Sequence, residues 1–151
     1  MIKGYQVEFD PIEHQYFVNG KEVPSISQLC KRENQDMYEG IDQLTLRRAA
    51  TKGVGLHKEI ENYELKNIQG QSIEFQNYLL VKRNYRFNKE MTERIVIIEI
   101  DGKIVCAGRF DLLATIDGKS VLIDFKRTSQ IHLNYVTLQL NLYRMGLNLM
   151  E

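Results

Sequence analysis

An acid and a lysine end an apolar run in the last third of the chain. In the segment VLIDFKRT, the run from Val121 to Ile123 is followed by Asp124, Phe125 and Lys126. Because side chains alternate across a strand with a period of two, a strand through this segment places Asp124 and Lys126 on one face and Phe125 on the other. One small area would then hold both a carboxylate and an ammonium group.

A second carboxylate, Asp111, interrupts the apolar run CAGRFDLLAT. The dipeptide Asp117-Gly118, which lies between the two runs, is typical of a two-residue hairpin turn, and counting outward from it places Asp111 opposite Asp124. Two carboxylates with Cβ atoms about 4.5 to 5.5 Å apart destabilise a sheet unless a positive charge lies between them. Lys126 and a divalent cation are the candidates for that charge.

Two interpretations of these residues stand side by side. Asp124 and Lys126 could form a partly exposed salt bridge worth about 0 to 1 kcal/mol, and a bulge at Gly108 would shift the register by one residue. Alternatively, the two aspartates and the Phe125 carbonyl provide the hard oxygen ligands of a Mg²⁺ ion that keeps several waters. Such an ion activates a water and stabilises charge on a phosphate.

Tight-turn dipeptides and helical periodicity outline the elements that must position these groups. The turn signals predict the hairpin Gln15–Val18 with Lys21–Val23 and a meander of Arg94–Ile100, Lys103–Ile116 and Lys119–Lys126. Apolar periodicity predicts helices over Ile41–Lys66 with a break near Gly53 and Gly55, over Ser72–Lys89, and from Asn134 to the end. The expected fold class is α/β, with a mainly antiparallel central sheet flanked by helices.

Composition limits the classes of protein. The chain has 151 residues, 43% of them hydrophobic, which predicts a single domain over residues 1–151. Twenty basic and 20 acidic residues cancel, so net charge gives no argument for a nucleic-acid partner. Cys30 and Cys106 are too few for a zinc cage or an iron–sulfur cluster. No apolar leader or membrane-length run is present, so we expect a cytoplasmic protein with no membrane partner.

Five segments in family order carry a resemblance to a known superfamily. Asp111, followed thirteen residues later by Asp124-Phe125-Lys126, resembles the motif of the PD-(D/E)XK nucleases. LIDFKRT and QLNLY are similar to the RecB-like and phage-type exonuclease branch, EVPSISQL to the VPSVT opening of phage-type and mitochondrial-type exonucleases, and KGVGLHKEIE to their RGTxxHxxIE helix. The resemblance implies a restriction-endonuclease-like core and a Mg²⁺- or Mn²⁺-dependent nuclease that hydrolyses DNA with a metal-activated water. It also implies that the cell is bacterial or phage-infected.

The resemblance also assigns roles to individual residues. It implies that His57, Asp111 and Asp124 hold the metal with the Phe125 carbonyl, and that Lys126 orients or deprotonates the water. From the spacing alone, a histidine beside an apolar helical stripe is more often a structural residue than a metal ligand, and Glu61 one turn on gives a rival His–Glu pair. The supporting and DNA-contacting candidates are Glu93, Gln139, Tyr143, Arg127, Lys52, Arg47 and Arg48. For Glu93 the alternative is an exposed acid at a strand entry, and for Tyr143 it is ordinary packing.

Departures from the family pattern leave alternatives open. Val54-Gly55 stands where the family prefers a threonine, Arg127 follows the lysine, and the chain ends at Glu151 without a further strand. A domain truncated at its C-terminus, a minimal phage-type protein and part of an assembly all fit this ending. The leading expectation is an exonuclease. The alternatives are a catalytically inactive nuclease-fold binding, inhibitor or assembly module, and a restriction-type endonuclease.

Overall fold

Residues 1–128 and 130–150 are described by the structure, a computed structural model, with side chains described up to residue 148. Six strands and four helices lie within this part of the chain: β1 (Val7–Asp10), β2 (Gln15–Val18), β3 (Lys21–Val23), α1 (Ile26–Glu33), α2 (Gln43–Lys66), α3 (Ile73–Tyr85), β4 (Asn88–Ile100), β5 (Lys103–Ile116), β6 (Lys119–Ile123) and α4 (Leu133–Met150). The α/β class is confirmed. In place of one central sheet, the strands form two three-stranded sheets, β1-β2-β3 and β4-β5-β6.

The three predicted tight turns are all present. In each, the Asn or Asp has a φ of 50° and the following glycine a φ of 74° to 76°, the positive values that a type I′ turn requires. The first turn pairs Val18 with Lys21, and the last pairs Ile116 with Lys119. The register between β5 and β6 continues without a shift as far as Leu112 opposite Ile123. The register counted from the Asp117-Gly118 turn, with no bulge, is therefore confirmed for the pairs from Ile116–Lys119 to Leu112–Ile123.

Several predicted boundaries are wrong. β4 begins at Asn88 instead of Arg94, and β6 ends at Ile123, before the acid and lysine that were expected within it. α2 continues through Gly53 and Gly55 without the predicted break. Packing of the later turns of α2 against the core outweighs the roughly 1 kcal/mol by which each helical glycine weakens a helix. β1 and α1 were not predicted at all.

The described chain divides into two compact units, and the first comprises Met1–Glu39, Ile95–Arg109 and the stretch from His132 onward. Its core contains Tyr16, Val18, Ile97 and Ala107. Ser25, within the VPSIS segment, caps α1: its side chain accepts a hydrogen bond from the Gln28 amide, and the Gln28 side chain accepts one from the Ser25 amide. This reciprocal capping box gives the segment a structural role.

The second unit comprises Gly40–Arg94 and Phe110–Ile131, apart from Ser129. Its core residues are Ile60, Phe75, Tyr78, Phe87, Leu112 and Ala114. α2 begins after Asp42, whose carboxylate accepts hydrogen bonds from the amide and hydroxyl of Thr45. Because the chain forms two such units, the expectation of a single domain stays a prediction. Within the described residues, none of the helices combines the length and apolar character needed to cross a bilayer.

Replacement by alanine is expected to change the free energy of unfolding in opposite directions at two helical glycines. A Cβ at Gly146 in α4 would lie 2.8 Å from the Cβ of the fully buried Val96, whereas a Cβ at Gly53 in α2 would meet nothing within 4 Å. Gly146→Ala should lower the free energy of unfolding by about 1 to 3 kcal/mol through overpacking. Gly53→Ala should raise it by about 0.5 to 1 kcal/mol. Urea unfolding of both variants measures this; equal effects would contradict the close packing of α4 on β4.

Candidate metal centre

The backbone of Phe125 lies at the centre of the predicted site. Its amide donates a hydrogen bond to Asp111 Oδ2 over 2.8 Å, and its carbonyl oxygen lies 2.8 Å from His57 Nε2. The ring packs edge-on against Tyr78, with the centroids 5.3 Å apart, and belongs to the core of the second unit. The expectation that Phe125 points away from its two charged neighbours therefore agrees with the packing, although β6 has already ended.

Three elements bring His57, Asp111 and Phe125 together. α2 carries His57 next to the core residue Leu56, β5 carries Asp111, and the segment after β6 carries Phe125. His57 Nε2 lies 3.4 Å from Asp111 Oδ2. A carbonyl oxygen can only accept, so His57 Nε2 carries the proton when it bonds to Phe125. A cation at this point would take the place of that proton.

Asp111 is the buried charge of the site. Only 10% of its side chain is exposed, and burial raises its pKa to about 6, with the neighbouring Asp124 adding to the rise. His57, the Phe125 amide and Lys126 act in the opposite direction, since each favours the ionised carboxylate. Desolvation outweighs these contacts. The contacts with His57, the Phe125 amide and Lys126 therefore do not compensate for the burial of the Asp111 carboxylate.

Asp124 and Lys126 form the second half of the site. Lys126 Nζ lies 2.6 Å from Asp124 Oδ2, and the side chains are 28% and 6% exposed, so the pair forms the partly exposed salt bridge of the simpler interpretation, with a nearly buried carboxylate. The contact lacks hydrogen-bond geometry: among the described residues, Asp124 Oδ2 is buried with no hydrogen-bond partner. A buried carboxylate oxygen with an unused acceptor site is costly unless another cation reaches it.

These donor atoms fit a small divalent cation. His57 Nε2 lies 2.8 Å from the Phe125 oxygen and 3.4 Å from Asp111 Oδ2, close to the roughly 3 Å between neighbouring ligands of an octahedral ion bound at about 2.1 Å. Over residues 1–128 and 130–150, no three His, Cys, Asp or Glu side chains form a ready metal-binding group. The set described here includes a backbone carbonyl, and Asp124 Oδ2 lies against Lys126. One nitrogen and several oxygens suit Mg²⁺ or Mn²⁺.

The residues that were predicted to lie around the metal site have other positions or other partners than expected. Glu93 lies inside β4, not before the strand as predicted, and its φ of 50° marks an irregularity in the strand. Arg127 forms an ion pair with Glu74 through Nη2 over 2.8 Å. Glu61 forms one with Lys58, which leaves the proposed His57–Glu61 pair without support.

The QxxxY pair belongs to the first unit. Gln139 and Tyr143 are both buried in α4, and Gln139 Nε2 donates to the Tyr143 hydroxyl over 3.2 Å. Tyr143 also packs beside Gly108, where an added Cβ would lie 3.0 Å from its ring. These contacts give both residues a packing role in α4, and their predicted contact with DNA stays a prediction.

Sequence reasoning missed Thr92. Its buried hydroxyl donates a hydrogen bond over 2.9 Å to the backbone carbonyl of Asp111, which fixes the strand next to the catalytic candidate. The sequence did contain a signal for this residue. Counting outward from the turn Asp101-Gly102 places Thr92 opposite Asp111, just as counting from Asp117-Gly118 places Asp124 opposite Asp111.

Comparison with protein-family models, curated proteins and solved structures gives no match to this chain.

The raised pKa of Asp111 makes the stability of the metal-free protein depend on pH. The folded state keeps the proton up to about pH 6, whereas the unfolded chain releases it near 3.8. The free energy of unfolding should therefore fall as the pH rises from about 4 to about 6. Asp111→Asn should remove this fall and stabilise the protein at pH 8 by about 1 to 3 kcal/mol.

Urea unfolding at pH 4 and pH 8 in a chelator measures the effect. Asp117→Asn, the same neutralisation at an exposed turn, is the matched control and should leave the pH profile as it is. An Asp111→Asn protein that is less stable than wild type at pH 8 would contradict the assignment of a desolvated carboxylate.

Proposed function

We propose that this protein is a Mg²⁺- or Mn²⁺-dependent deoxyribonuclease of the PD-(D/E)XK type, with an exonuclease favoured over an endonuclease. One observation supports it most: His57 Nε2, Asp111 Oδ2 and the Phe125 carbonyl oxygen converge, and the Asp124–Lys126 ion pair flanks Phe125 in the chain. The donor types, their spacing and the adjacent lysine are what phosphodiester hydrolysis requires. The restriction-endonuclease-like core is part of the same proposal.

The burial of the carboxylates supports a catalytic role over a purely structural one. Both aspartate side chains are at most 10% exposed, and a partly exposed lysine is the cation beside them. A fold gains little from two desolvated carboxylates, since like charges raise the free energy of the folded state. Such groups are concentrated at functional sites, where the cost is offset by a bound cation. When bound, the cation supplies Lewis acidity toward a phosphate oxygen and a more acidic water.

Each side chain has a separate task in this proposal. Asp111 and Asp124 provide carboxylate oxygens to the cation, and His57 provides Nε2 once it has lost its proton. Lys126 Nζ orients or deprotonates the attacking water and stabilises the negative charge that develops on the phosphate. Phe125 fixes the spacing between Asp111 and His57 through its amide and carbonyl. The core contact with Tyr78 holds that backbone in place.

Substitutions of Lys126 best distinguish an active nuclease from an inactive binding module. Lys126→Ala should keep metal and DNA binding, because the carboxylates remain, and should cleave DNA at least about a hundredfold more slowly. Lys126→Arg should also be slow, since a guanidinium has a different shape and does not release its proton at neutral pH. Lys119→Ala, which removes an exposed lysine at the start of β6, is the matched control and should cleave at the wild-type rate.

The assay uses end-labelled linear DNA and covalently closed circular DNA with Mg²⁺, with Mn²⁺ and with a chelator. Cleavage of the linear substrate alone indicates an exonuclease, and linearisation of the circle indicates an endonuclease. Equal cleavage by wild type and Lys126→Ala, or no cleavage of either substrate by wild type, would favour the inactive module.

A further inference from the structure

The first half of α2 is exposed on almost every side. In residues 43–55 only Leu46 and Gly53 are partly buried, and the others are exposed. The core-packed residues of this helix, Leu56, Ile60 and Tyr63, all lie in its second half. Since most helical stability comes from packing an apolar face, about 20 Å of unpacked helix at 1.5 Å per residue is an unusual feature. We call residues 43–55 the leading segment of α2.

The leading segment is basic although the whole chain is neutral. It contains Arg47, Arg48 and Lys52, and no acidic residue occurs between Asp42 and Glu59. Arg47 and Lys52 are five residues apart, which separates them by about 140° around the helix. Cations therefore lie on two sides of this helical rod. A ligand with negative charge on two sides of a channel would complement this distribution.

The leading segment is continuous with the candidate metal centre. Hydrogen bonds from its own backbone amide and from the Arg127 side chain lower the pKa of the Glu74 carboxyl, and the charges of Arg127 and then Lys52 act in the same direction, so Lys52 lies near Glu74. Arg127 directly follows Lys126. His57 lies five residues beyond Lys52 on the same helix, about 7.5 Å further along its axis. A ligand bound along the leading segment would thus reach the candidate metal site.

We propose that the leading segment docks in the major groove of B-form duplex DNA, with Arg47 and Lys52 toward the phosphates of opposite strands. A helix about 10 to 12 Å in diameter matches a groove about 12 Å wide that is bordered by a phosphate backbone on each side. The major groove of A-form RNA is too narrow and deep for a helix. This inference rests on the proposed function and adds the form of the substrate, a duplex.

The test measures binding without cleavage. Fluorescence anisotropy of a labelled duplex of about 20 base pairs, in a chelator, gives Kd for the full chain at several salt concentrations. The double variant Arg47→Ala/Lys52→Ala should bind at least about tenfold more weakly at low salt, and the slope of log K against log salt should fall in magnitude by about 2. The control Lys21→Ala/Lys103→Ala removes the same charge from two exposed lysines of the first unit and should bind like wild type.

Three results would overturn the docking. These are wild-type affinity in Arg47→Ala/Lys52→Ala, tighter binding of an RNA duplex or a single strand than of the DNA duplex, and a dimer in sedimentation that Leu44→Glu dissociates, which would assign the leading segment to a second copy of the chain. The two proposals fail separately. Cleavage in Mg²⁺ with duplex binding unchanged in the double variant overturns only the docking. Duplex binding that depends on Arg47 and Lys52, without cleavage or metal binding, overturns only the nuclease.

Discussion

The candidate site depends on how the backbone of Phe125 is held. Its ring packs against Tyr78 in the core of the second unit, so the peptide groups on either side have little freedom to move. The amide then meets Asp111 and the carbonyl meets His57, each over 2.8 Å. A partly buried aromatic residue that packs against the core thus fixes the spacing of the polar atoms on either side of it. Catalytic geometry of this kind requires such support, because a displacement of about 1 Å can cost about a hundredfold in rate.

The buried carboxylates that the proposed function requires also make the folded protein less stable. The side chains of Asp111 and Asp124 are largely removed from water, Lys126 is in contact with Asp124, and burial raises the pKa of Asp111 to about 6. The metal-free protein relieves this by taking up a proton at Asp111, which a divalent cation would displace. Desolvated carboxylates that destabilise a fold are expected where they bind something positive. The exposed basic half of α2 lies in the same unit as the two aspartates, and it carries its cations on the helix that also carries His57.

Much of this site could be predicted from the sequence because it follows from short-range rules. Asx-Gly turns fix the register of a two-residue hairpin, and this placed Asp111 one position beyond the last pair of the β5–β6 ladder, Leu112 opposite Ile123. Alternation placed Phe125 in the core although β6 ends at Ile123. The missed features depend on long-range packing. α2 continues through Gly53 because its second half is held by the core, and the division into two sheets has no local signal. Thr92 was missed because the register of β4 against β5 was not counted.

The most direct test of the account is electron spin-echo spectroscopy of the protein loaded with one equivalent of Mn²⁺. If His57 Nε2 and the two aspartates hold the ion, the echo should be modulated by one imidazole nitrogen, and His57→Gln should lose that modulation while Asp124→Asn should leave Mn²⁺ largely unbound. His14 and His132 provide the control, since their replacement by glutamine should leave the signal unchanged. Mn²⁺ that binds without nitrogen coupling, or with coupling that survives in His57→Gln, would contradict the account.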